Sequence, residues 1–103
     1  MTLEELHNIL LSTGYPTAYL VFKTPQVPPY ICYLAVYSNN VGADNVVWKQ
    51  VEHVQIELYT ENKDRQAERK VEDALTNAGI FFETTETYID SEKLYQRIYE
   101  IEV

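Results

Sequence analysis

Few residues in this chain have the types and spacing that chemistry asks for. His53 and Glu57 stand four apart in VEHVQIELYT, with Glu52 beside them, and an imidazole near a carboxylate is a common means of moving a proton. An extended chain puts His53 and Glu57 on one face about 13 Å apart, too far for a direct hydrogen bond, and turns Glu52 to the opposite face. The period-two alternation of a half-solvated strand already accounts for all three. Cys32 lies inside the apolar run YICYLAVY, where a small buried hydrophobe is expected rather than a nucleophile. His7, on a short amphipathic segment, reads as a boundary residue. One cysteine and two distant histidines assemble neither a Cys-His or Ser-His-Asp set nor a metal site. The residues predict no catalytic group, no metal and no cofactor, and hence a protein that is not an enzyme.

The polar stretch SNNVGADN, Ser38 to Asn45, separates two of the most apolar runs. It lacks the spaced acids and closing Glu of a calcium loop. It also lacks a glycine-rich phosphate motif and a following helix to hold an anion. Asn, Asp and Gly favour turns because they tolerate positive φ and bond their own backbone, so the stretch is expected to connect two strands of a hairpin. It is longer than a hairpin needs, and long loops on rigid strands often carry function. Asn39, Asn40, Val41, Gly42, Ala43 and Asp44 are therefore expected to form a protruding protein-contact loop.

These residues must be positioned by a single domain, since 103 residues (1–103) build one core and not two. The chain is 46% hydrophobic and 13% aromatic, which argues against disorder. Nine tyrosines serve either strand packing or a protein interface, because Tyr joins an apolar body to a polar tip. The net charge of −8 excludes the Lys/Arg surface that phosphate neutralisation or an anionic membrane requires. The segment 63–79 is balanced at four bases and four acids, whereas 1–62 and 80–103 each carry six acids against two bases. The excess therefore falls mainly on predicted strands, where it gives solubility, repels nucleic acid or attracts a basic partner. Glu52 and Glu57 are the representatives chosen for this acidic solvent-facing or lumen-facing surface. The N-terminus lacks a signal-peptide pattern and no apolar run spans a bilayer, so a soluble protein made in a reducing cytoplasm is expected.

Thr2 and Glu5 have capping-box spacing, and Leu3, Leu6 and Leu10 recur on one face, predicting a helix over 3–12 stopped by Gly14. AYLVF predicts a strand at about 17–23. The prolines of TPQVPPY end it and guard the edge; Pro25 and Pro28 form only a thin PxxP match without a flanking base. Residues 30–37 read as a strand apolar on both faces. NVVWKQVEHVQIELYT reads as one long strand with Val54, Ile56 and Leu58 inward and His53, Gln55 and Glu57 outward. A helix over 63–78 follows, with Ala67, Val71, Ala74 and Ala78 at helical spacing and Gly79 as its end. In it Glu68 and Glu72 form an unfavourable pair at four-residue spacing. IFFETTETYI and KLYQRIYEIEV close the chain as a strand pair broken near Asp90 and Ser91. The expectation is an α+β fold, order α-β-β-β-α-β-β, with a mostly antiparallel or mixed five-stranded sheet and two helices on one face.

The run FKTPQVPPYICYLAVYSNNVGADN, then IELYTENKD, then the close YIDSEKLYQRIYEIEV, resembles small proteins of the head–tail gene cluster of siphophages and prophages of Gram-positive bacteria. The similarity covers about 19–103. The resemblance implies a tail terminator or tail-completion protein, also termed head–tail joining or minor capsid protein. It implies a structural part of the virion, assembled in the bacterial cytoplasm, that forms a homo-hexameric ring, alone or on a tube template. That ring would cap the tail tube protein and dock to the head-completion or connector protein, with genome DNA passing through but not specifically bound. It carries over no catalytic or contact residues. Surplus Tyr suits a ring interface, and acids facing a lumen would keep the passage from sticking to DNA. A small acidic adaptor or inhibitor of a basic or nucleic-acid-binding partner is the alternative, expected to be monomeric or dimeric.

Overall fold

A computed structural model describes residues 1–38, 41–43, 46–49 and 51–103, with side chains placed outside 39–50. Helix α1 (Leu3–Leu11) starts where the Thr2 side chain accepts from the Glu5 N–H, and ends before Gly14, whose φ of +89° suits glycine. Helix α2 (Arg65–Asn77) starts two residues later than its apolar spacing predicts. Asp64 is the reason: its carboxylate accepts the Ala67 N–H at 3.0 Å and caps the helix. Leu75, not Ala78, completes the buried stripe with Ala67 and Val71, and Ala78 is the exposed C-cap.

The strands are β1 (Thr17–Tyr19), β2 (Tyr30–Ser38), β3 (Val41–Ala43), β4 (Val46–Lys49), β5 (Glu52–Thr60), β6 (Glu83–Ile89) and β7 (Leu94–Glu102). Five of them form one mixed sheet in the order β1-β2-β5-β7-β6, parallel between β1 and β2 and antiparallel elsewhere. This is the expected α+β architecture.

Three boundaries differ from expectation. The single long strand ending at Thr60 is two strands, β4 and β5, because β4 pairs with β3 in a separate two-stranded ribbon. Strand β1 stops at Tyr19 rather than running to residue 23. Leu20 has φ +66° and the Val21 N–H donates to the Tyr19 carbonyl at 2.8 Å, which is a γ-turn of the rare strained hand. The last strand pair begins at Glu83, so Ile80–Phe82 link α2 to β6 without joining the sheet.

Strand alternation sorts the two sheet faces. Ile31, Tyr33, Val54, Ile56, Leu58, Tyr99 and Ile101 pack against Leu6 and Leu10 of α1 and Ala67, Val71 and Leu75 of α2. Both helices therefore cover the same face, and the core lies between the layers. Burying one such Leu or Ile contributes about 1.5–3 kcal/mol. The other face bears Cys32, Leu34, Gln55, Glu57, Ile98 and Glu100, with no helix over it.

Candidate interaction surfaces

The helix-free sheet face is polar, and several of its side chains are held by hydrogen bonds. Glu57 is half-buried: one carboxylate oxygen accepts from Gln55 Nε2 at 2.8 Å and the other from Tyr59 Oη at 3.1 Å. Tyr59 Oη in turn accepts from Gln96 Nε2 at 2.9 Å, and the Tyr59 ring stacks on Tyr30 with centroids 5.0 Å apart. Burial, and then the Glu57 charge, push the Cys32 thiol up to about 11. Cys32 is therefore a protonated thiol at neutral pH, without nucleophilic character.

His53 stacks on Tyr37 at 4.2 Å, and its Nδ1 lies 3.6 Å from a Glu102 oxygen. Among the described residues its carboxylate neighbour at salt-bridge distance is thus Glu102, across the strand pair, rather than Glu57. Glu52 and Glu57 do not share a face. Glu52 stands at the start of β5 with the parity of the core-facing residues, and its backbone exchanges two 2.9 Å hydrogen bonds with Val103. Instead, Glu57 shares its face with Glu83, Glu100 and Glu102. Of the expected contact loop, Asn39, Asn40 and Asp44 lie outside the described residues, while Val41, Gly42 and Ala43 form β3. His7 is a boundary residue with a defined partner, its Nδ1 sharing a hydrogen bond with Tyr33 Oη at 2.9 Å.

One cluster escaped sequence reasoning. Lys63 Nζ lies 2.8 Å from Glu68 and 2.6 Å from Glu86, and the Arg97 guanidinium is within 3.5–3.8 Å of Glu68, Glu72 and Glu86. Tyr99 Oη donates to Glu72 at 2.8 Å. The like-charged Glu68 and Glu72, unfavourable on an isolated helix, both turn inward to meet cations from outside α2. Periodicity within one element carries no signal for this convergence, since Arg97 arrives from β7 and Glu86 from β6. The cluster ties α2 to the β6–β7 side of the sheet and presents no nucleophile.

Two clefts flank these features. One, of about 720 Å³, lies at the sheet end near Tyr37, His53, Phe81, Glu83, Glu100 and Glu102. The other, of about 400 Å³, lies between the 20–26 segment and Tyr30, Cys32, Tyr59 and Glu92. Among the described residues no three metal-ligating side chains converge, and no helix is long and apolar enough to cross a membrane. The arrangement is one of surfaces: an acidic and aromatic sheet face, two sheet edges and an exposed apolar turn.

No family model matches the sequence, and no curated protein matches it. Among solved structures, the chain is similar to one in a particle described as the virion of a native gene transfer agent. The two share a TM-score of 0.67 at 10% identity, over 91% of this chain and 81% of the other. At that identity the likeness is one of fold.

Proposed function

We propose that this chain is a structural component of a phage-like virion, acting at the head–tail junction as a ring that terminates the tail tube and joins it to the head connector. The fold shared with a chain of a virion particle over nearly its whole length carries the reading. Its partners on this reading are further copies of itself, the tube protein and a connector protein, and its role is non-enzymatic. The open sheet face, with Glu57, Glu100 and Glu102, is the surface assigned to the lumen.

The test is solution mass by light scattering over a range of concentrations, followed by negative-stain imaging of the large species. A closed ring of about six copies is expected, because cyclic closure is what capping a tube demands. A monomer or dimer at every concentration, with tube protein added as well as without it, overturns the ring and favours the small acidic adaptor.

A further inference from the structure

The sheet order leaves two strands with one free side each, β1 at one end and β6 at the other. They are not equivalent. Strand β6 is seven residues long, exposed from Glu83 to Tyr88, and carries no proline or bulge to blunt it. Strand β1 has three residues, and its alternation is fixed by hydrogen bonds from Ile31 N–H to the Pro16 carbonyl and from Leu20 N–H to the Tyr33 carbonyl. Thr17 and Tyr19 therefore turn their backbone groups outward, and the γ-turn occupies the Tyr19 carbonyl. An unpaired edge templates strand addition, and this one offers only the Thr17 backbone groups and the Tyr19 N–H.

The side chains differ as sharply. Beside β1, Leu20, Val21 and Val27 are 50%, 66% and 83% exposed, and Lys23 is the only charge between residues 15 and 29. The β6 side exposes Phe81 at 81% and Tyr88 at 45%, and residues 80–92 carry four acids and no base. Glu83 stands directly opposite Glu100 in the register, and among the described residues no cation pairs with either. Like charges placed so are destabilising, and a cation from outside would relieve them.

Self-pairing is disfavoured at both ends. Two β1 edges would meet across only three residues, and two β6 edges would bring together two segments that each carry four acids and no base. We propose that neighbouring copies of this chain join head to tail, the acidic, aromatic β6 edge of one against the apolar γ-turn and Lys23 of the next. Such a contact is heterologous and closes a ring when the rotation allows. This placement rests on the ring reading above.

The test uses Lys23→Glu, Glu83→Lys, the two combined, and Val21→Asp, each assayed by sedimentation velocity with thermal unfolding as a control. Glu83→Lys sets a cation opposite Glu100, so the fold is not weakened and lost assembly is not lost folding. Each single variant is expected to weaken association between copies about tenfold. The combined charge exchange is expected to recover association to within about threefold of the unaltered chain. Rings that form undiminished in all single variants overturn the edge placement and leave the ring standing. An unaltered chain that stays monomeric at every concentration, with tube protein added as well as without it, overturns the ring, and this placement with it.

Discussion

At the scale of single residues the decisive interactions are polar and tertiary. Tyr99 is fully buried, and its hydroxyl donates to a Glu72 carboxylate. Tyr99→Phe keeps the ring's packing but removes a hydrogen bond to a carboxylate that Arg97 and solvent still reach, and is expected to cost about 1 kcal/mol of stability, read from denaturant unfolding. The Lys63–Glu86 contact makes stability depend on pH from both sides. The hydrogen bond from Lys63 holds Glu86 below its ordinary value of 4.5. Its stabilisation is thus complete above that value and is lost as pH falls through the depressed one. Hydrogen bonds to Glu68, then Glu86, raise Lys63 above 10.5, so its share is complete below that value and is lost as pH rises through the raised one. Lys63→Met should therefore lower the unfolding midpoint near neutrality and flatten its fall on acidification. An unfolding curve with the original acid slope would show that the contact contributes nothing.

At the scale of elements, what was legible in the sequence followed from burial. Leu6 and Leu10, or Val54, Ile56 and Leu58, announce a helix face and a strand face because each element must bury one side. The strand order was not legible, since nothing local in Thr17–Tyr19 says that it lies parallel to β2. Nor was the end of β1, because AYLVF is good strand sequence stopped by one residue in a conformation its side chain disfavours. A non-glycine residue in the left-handed region costs about 1–2 kcal/mol. Leu20→Asn, which tolerates that region, is expected to stabilise the isolated chain by about 1 kcal/mol in denaturant unfolding. An unchanged midpoint would mean that the turn stores no strain. The ribbon shows a different limit: the composition of SNNVGADN predicts a connection, yet Val41–Ala43 pair with Val46–Lys49. Its place between β2 and β5 means the five-stranded sheet closes without it. Replacing residues 39–44 by Asn-Gly should leave the thermal transition of the body in place and weaken assembly. Full assembly in that variant would remove the stretch from the contact surface.

At the scale of the whole molecule, both helices lie on one side of the sheet and acids collect on the other, which gives the chain two chemically distinct faces. The sequence pointed to an acidic surface through Glu52 and Glu57, but alternation along β5 sends these two apart. The acids that gather with Glu57 come from β6 and β7. If that face lines a passage for DNA, its charge keeps the polymer from adhering, and reversing it should create affinity where there was none. Glu100 and Glu102 are exposed, so Glu100→Lys with Glu102→Lys changes the surface without disturbing the Gln55–Glu57–Tyr59–Gln96 chain of hydrogen bonds. Each reversal adds two charges, taking the chain from −8 to −4. The total stays negative, so any binding gained must come from local charge on that face. Screening extends over about 10 Å at 0.1 M salt, so binding should be clear in dilute buffer and fade steeply as salt is added. Fluorescence anisotropy with a labelled duplex at several salt concentrations reads both effects. Reversed chains that ignore DNA even in dilute buffer would show that this face does not govern the approach of nucleic acid, and the acids would then be explained by solubility alone.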